Sequence, residues 1–94
     1  MQYLKVIVRN VVTKYPSGSF MRLRMIAVVR SVQTRFTRVI NRLNGLNSPI
    51  IPRLDDDAVG RMLYYYCDLD RKKSIEFLKH ELEEADLAIK DLER

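Results

Sequence analysis

Four arginines stand where one helical face would gather them. At ~100° per residue, Arg24, Arg35, Arg38 and Arg42 fall within about 60° of one another, with Ser31 in the same strip. A rise of ~1.5 Å per residue sets Arg35, Arg38 and Arg42 about 4.5 and 6 Å apart along the axis, intervals comparable to those between phosphates on a nucleic-acid strand. A guanidinium is a planar fork that grips phosphate through two N–H donors and tolerates desolvation better than an ammonium. The expected nucleic-acid contacts are therefore Arg24, Arg35, Arg38 and Arg42, with Arg22 and Arg30 beside them.

The charge around this stripe is one-sided. Residues 1–54 contain ten Lys and Arg, eight of them Arg, and no Asp or Glu. Residues 55–94 hold all twelve acids against seven Lys and Arg, so the halves carry +10 and −5 within the net +5. An ordinary solvated face mixes signs. An acid-free half leaves its self-repulsion unrelieved unless an anion lies close. That anion is either external, nucleic acid or a ribonucleoprotein, or internal, the acidic C-terminal helix lying along the basic one.

Other reactive residue types point away from catalysis. His80 falls on the outer face of the last predicted helix, and no Cys or second His stands at zinc-ligand spacing. Cys67 has no CxxC partner and no neighbouring base, and reads as a half-buried thiol. Asp55-Asp56-Asp57 offers clustered carboxylates to a hard cation, but the calcium-loop spacing is absent. The simpler role is a helix start, where each anion gains roughly 0.3–1 kcal/mol from the macrodipole. Gly18, Gly45 and Gly60 form no phosphate-binding loop, and no acid sits in an apolar stretch that would raise its pKa. No catalytic residue, metal ligand or cofactor is expected, and the chain reads as a non-enzyme. In Tyr64-Tyr65-Tyr66, Tyr66 is expected in an apolar seam, while Tyr64 and Tyr65 point outward. Exposed tyrosines stack on unpaired bases or anchor protein interfaces; otherwise they lie partly buried with a wet hydroxyl.

Four segments must position these residues. In residues 2–15, Leu4, Val8, Val11 and Tyr15 step by four, three and four, the pattern of an amphipathic helix. The β-branched load of Val6, Ile7, Val8, Val11, Val12 and Thr13 supports a competing β-hairpin. Pro16-Ser17-Gly18-Ser19 would be its turn, and Met21, Leu23 and Met25 would alternate with Arg22 and Arg24. A second helix is expected over Phe20 to Leu43, capped by Ser17 or Ser19, with the seam Met25, Val29, Val32, Phe36, Val39 and Leu43. Asn44-Gly45 should end it, Gly45 serving as a left-handed cap. Residues 46–54, with Pro49 and Pro52, read as a linker. The third helix opens at Asp55-Asp56-Asp57 with the seam Val59, Met62, Tyr66 and Leu69. It either runs on or breaks at Asp68-Leu69-Asp70, with Asp70 capping the next segment. Ile75, Leu78, Leu82, Ala85, Ile89 and Leu92 then form three a/d pairs of a heptad. Lys72 with Glu76, Lys79 with Glu83 and Asp86 with Lys90 are i,i+4 pairs on an exposed face. The shared spacing predicts a single all-α domain over residues 1–94. It would be a small antiparallel three- to four-helix bundle with a long C-terminal heptad helix.

Length and composition fit that prediction. Ninety-four residues, 47% of them hydrophobic, make one domain with a usable core. One cysteine allows no internal disulfide, which leans toward a reducing intracellular compartment or an assembly lending support from outside. No apolar run approaches the ~20 residues of a membrane span, and the opening residues lack a signal-cleavage site. An arginine-rich, acid-free first half is a composition shared with mitochondrial targeting segments, but its ordered periodicity makes it part of the fold.

The stretch Tyr3-Leu4-Lys5-Val6-Ile7-Val8-Arg9 loosely resembles the opening of LYR-motif proteins, small basic helical accessory subunits of mitochondria. In that family a Leu-Tyr-Arg precedes an apolar residue and a second Arg, then an aromatic before the second helix. Tyr15 and the arginine-rich second helix with Phe36 suit the later part. The first two letters are exchanged here, Lys5 replaces the arginine, and the likeness covers about 40 residues. The resemblance implies the alternative function, an accessory or assembly subunit docking through protein contacts. Ile75, Leu78, Leu82, Ile89 and Leu92 are the residues expected to serve protein docking or self-association. A further alternative is an interfacial membrane binder using the first helix.

Overall fold

The computed structural model describes residues 2–94. It is all-α: α1 spans Gln2–Lys14, α2 Phe20–Asn44, α3 Asp57–Cys67 and α4 Arg71–Glu93, and no strand occurs among the described residues. The chain forms two compact units: one runs up to Gln33 and takes in Glu83–Arg94, and the other is Thr34–Leu82.

The first unit assembles α1, the first part of α2 and the end of α4. Val8, Val29, Ala85, Ala88, Ile89 and Leu92 are buried together, with Leu4, Val11, Val12, Met25 and Ile26 packed against them. This arrangement overturns the N-terminal hairpin. The 4-3-4 spacing of Leu4, Val8 and Val11 meets one core only on a helix, and packing outweighs the β-branched preference. Lys5 Nζ reaches Glu84 at 2.9 Å. Near the other end of α1, the Arg22 side chain donates to carbonyls from both α1 and the end of α4. α1 and this part of α4 therefore run in the same direction, with α2 opposed. The α1–α2 turn uses Gly18 in the left-handed region, φ 77°. Ser19, one of the two expected caps, accepts the Arg22 N–H at 3.3 Å.

The second unit contains the end of α2, the connection, α3 and the start of α4. Its buried side chains include Phe36, Val39, Ile40, Leu43, Ile51, Leu54, Val59, Leu63, Cys67 and Leu78. The connection is non-helical, as its prolines dictate, but it is not slack. Ile51 N–H donates to Leu69 O at 2.8 Å and Arg71 N–H to Pro49 O at 2.9 Å, and Ile51 and Leu54 point inward. Asp56 caps α3 by accepting the Val59 N–H at 3.2 Å. The helix then breaks at Asp68 and Leu69, both left-handed with φ of 52° and 56°. Asp70 starts α4 by accepting the Lys73 N–H at 2.9 Å.

Several expectations are corrected. Gly45 is not a left-handed cap: α2 closes by i→i−3 bonds, Gly45 N–H to Arg42 O and Leu46 N–H to Leu43 O. The α3 seam is Val59, Leu63 and Cys67, while Tyr66 faces outward. Cys67 is buried, not half-buried. On α4 the buried series is Ser74, Leu78, Glu81, Ala85, Ala88, Ile89 and Leu92, rotated slightly from the predicted heptad. Leu78, Ile89 and Leu92 are buried and Ile75 and Leu82 half-buried, so this seam serves the fold and is not open for docking.

Candidate nucleic-acid interface

Arg35, Arg38 and Arg42 lie on the last turns of α2, on the face beside the buried Phe36, Val39 and Leu43. Folding of residues 34–82 adds two arginines to them. Arg53 comes from the connection, held outward between the buried Ile51 and Leu54, and Arg61 comes from the first half of α3. All five line one cleft of about 730 Å³, floored in part by Val39 and Leu54.

Asp55, Asp56 and Asp57 also line the cleft, and one of them is committed. Arg35 and Asp56 form a two-pronged pair, Nε to Oδ2 at 2.8 Å and Nη2 to Oδ1 at 2.7 Å. The hydrogen bond from Arg35 holds the Asp56 carboxyl below its ordinary range against the opposing effect of partial burial, and the N–H of Val59 adds to it. The same hydrogen bond raises the Arg35 guanidinium. Asp56 thus fixes the fork of Arg35 while capping α3. Among the described residues, Arg38, Arg42, Arg53 and Arg61 have no carboxylate within ion-pair distance.

The rest of the predicted stripe is dispersed. Arg24 is exposed in the first unit and contributes nothing to this cleft. Arg30 is paired with Glu93 at 3.4 Å. Arg22 is withdrawn altogether. It is 7% exposed and donates to the carbonyls of Val12 at 2.9 Å, Tyr15 at 2.7 Å, Arg94 at 3.0 Å and Leu92 at 3.4 Å. It ties together the C-terminal ends of α1 and α4, where a cation and forked donors satisfy carbonyls left without helical partners. It belongs to the fold and not to a binding surface. The signal was present in the sequence, since Arg22, Met25 and Val29 keep the 3/4 seam spacing.

A second cavity, of about 380 Å³, adjoins the first. It is walled by Ile51, Pro52, Leu54, Gly60, Tyr64 and Leu69, and it shares Arg53, Leu54, Asp57 and Arg61 with the arginine cleft. Tyr64 is thus one of the two predicted tyrosines and lies beside the arginines. Tyr65 does not line the cavity; its ring meets Tyr66 edge-on at 5.8 Å, and Tyr66 stacks on Phe77 at 5.7 Å. Sequence reasoning missed Arg53 and Arg61, because helical periodicity ranks residues within one helix and these two join the site only through tertiary folding.

Burial pushes the Cys67 thiol above its usual pKa, away from nucleophilic use. No group of three or more His, Cys, Asp or Glu is disposed to hold a metal among the described residues. No helix among them is long and apolar enough to cross a membrane. No known protein family, curated protein or solved structure matches this chain.

Proposed function

We propose that this chain is a non-catalytic nucleic-acid-binding protein, or a component of a ribonucleoprotein, that holds phosphodiester groups in the arginine cleft of residues 34–82. The observation that carries the reading is the convergence of Arg35, Arg38, Arg42, Arg53 and Arg61 from three segments onto one cleft. Internal neutralisation of the basic half is real but partial. It engages Lys5 with Glu84, Arg30 with Glu93 and Arg35 with Asp56. It does not reach the other four arginines of the cleft. Forks without carboxylate partners, next to a fixed fork on the same wall, suit an anion with several oxygens spaced along a strand.

Fluorescence anisotropy with a labelled 20-nucleotide strand tests the reading. Binding should fall steeply with salt, because phosphate contacts release condensed counterions. Arg38→Glu with Arg42→Glu should abolish measurable binding at moderate salt and flatten the salt slope by about two. Both side chains are exposed, so circular dichroism should be unchanged. Affinity equal to that of the unaltered protein would overturn the proposal.

A second reading, an accessory subunit docking on protein, is favoured by a different observation. Phe20 is 74% exposed and Leu23 57% exposed at the start of α2, where neither helps the fold. It predicts that Phe20→Ser with Leu23→Ser lowers concentration-dependent association in sedimentation while sparing nucleic-acid binding.

A further inference from the structure

We infer that the cleft is one half of a single-strand site. One unpaired base enters the adjoining apolar groove and stacks on Tyr64, while Arg53 and Arg61 hold the phosphates flanking it. This inference rests on the nucleic-acid reading above and goes beyond it by specifying the strandedness of the ligand and where its base sits.

The juxtaposition supplies the argument. Arg53, Arg61, Leu54 and Asp57 line both cavities, so the cationic and apolar compartments meet at two guanidinium groups and one carboxylate, which leaves the junction net positive. A nucleotide has the same construction, with a charged phosphate and a flat, largely apolar base joined by one sugar. A ligand that satisfied the arginines alone would leave the groove of Ile51, Pro52, Leu54 and Tyr64 filled with water against apolar walls. The groove's volume of about 380 Å³ lies within the usual range for small-molecule sites, roughly 300–1,000 Å³. Tyr64 is 64% exposed, so its ring contributes little to the core and remains available as a stacking surface. Duplex bases are paired and stacked on one another and cannot enter such a groove, whereas unpaired bases stack readily on aromatic rings. RNA and DNA single strands offer the same phosphate and base chemistry to this site.

The experiment compares four labelled probes of equal length by anisotropy: oligouridylate, oligothymidylate, an abasic deoxyribose-phosphate strand and a DNA duplex. The protein is tested unaltered and as Tyr64→Ala, Tyr64→Phe and Tyr65→Ala. Both single strands should bind roughly tenfold more tightly than the abasic strand, the size of one base–aromatic stack. Tyr64→Ala should bring them down to the abasic level, Tyr64→Phe should retain most of the affinity, and Tyr65→Ala should change nothing. Either sugar supports the base groove, and the tighter of the two names the strand. Abasic and base-bearing strands bound equally, with Tyr64→Ala silent and the salt slope intact, would overturn the inference and leave the phosphate reading standing. A duplex bound as tightly as the single strands would overturn it in the same way. Failure of every probe to bind at low salt would overturn both.

Discussion

Arg22 shows how strongly the role of a charged residue depends on what it faces. Its guanidinium is surrounded by the backbone oxygens of Val12, Tyr15, Leu92 and Arg94. Hydrogen bonds to a charged donor are each worth roughly 1.5–3 kcal/mol, and carbonyls left without a donor incur a desolvation cost. Arg22→Met, which keeps the apolar stem, should therefore destabilise the protein by about 2–4 kcal/mol in urea unfolding. Arg22→Lys should recover less than half of that, because one ammonium cannot span the positions reached by Nε, Nη1 and Nη2. Nucleic-acid affinity of the folded fraction should be unchanged; a loss there would return Arg22 to the binding surface. Ser74 is the opposite case. Its Oγ is buried beside the Cys67 thiol, a weak partner, and makes no hydrogen bond of ordinary geometry. Ser74→Ala should consequently stabilise by about 1 kcal/mol, as removing an unsatisfied buried hydroxyl generally does.

At the scale of elements, the start of α3 joins stability to the site through Asp56. Its pKa is lowered in the folded protein, so its contribution is fully present above the ordinary carboxylate value of 3.8. That contribution is lost as pH falls through the lower folded value. Arg35 is about half exposed, which keeps the pair's worth near 1 kcal/mol or less. Asp56→Asn retains a good cap and loses the charge, so it should cost about 1 kcal/mol at pH 7 and flatten the acid limb of the stability profile. Asp56→Ala removes cap and pair together and should cost about 1–2 kcal/mol. Identical losses from the two variants would show that the pair, not the cap, holds this helix end. The same scale explains what could be read from sequence. The α2 seam from Met25 to Leu43 was legible because helical spacing is local and its ends were marked by Ser19 and Asn44. The α3 seam was not, since Val59 begins two series of valid spacing, one through Met62 and Tyr66 and one through Leu63 and Cys67. What decides between them is the left-handed pair Asp68 and Leu69, which turns the chain so that Leu69 N–H meets Leu63 O. Neither residue is a glycine, so the Asp68-Leu69-Asp70 stretch marked a possible break but not the left-handed pair that makes it. The site was legible in the same measure: Arg35, Arg38 and Arg42 share a helix face, whereas Arg53 and Arg61 do not.

At the scale of the whole molecule, the net charge of +5 and the cleft make one further prediction. Five arginines against three carboxylates leave the cleft net positive, and repulsion among the four arginines without carboxylate partners, offset only in part by Asp55 and Asp57, is latent instability in the free protein. A bound anion should relieve it. Anything that binds only the folded chain also stabilises by RT ln(1 + [L]/Kd), about 2.7 kcal/mol at a hundredfold excess over Kd. Inorganic polyphosphate, which carries the phosphate chain without bases, should therefore raise the melting temperature by several degrees at low salt. Arg38→Gln with Arg42→Gln should act in two ways at once. The free variant should melt higher than the unaltered protein at low salt, because the repulsion is reduced, and the two should converge as salt screens the charges. Its response to polyphosphate should largely vanish. A variant that melts lower and still responds fully to polyphosphate would mean that these arginines support the fold and that the anion binds elsewhere. The opposite result, higher free stability with a lost response, is what a surface kept cationic for a ligand must show, since binding function is then held at a cost to the unliganded fold.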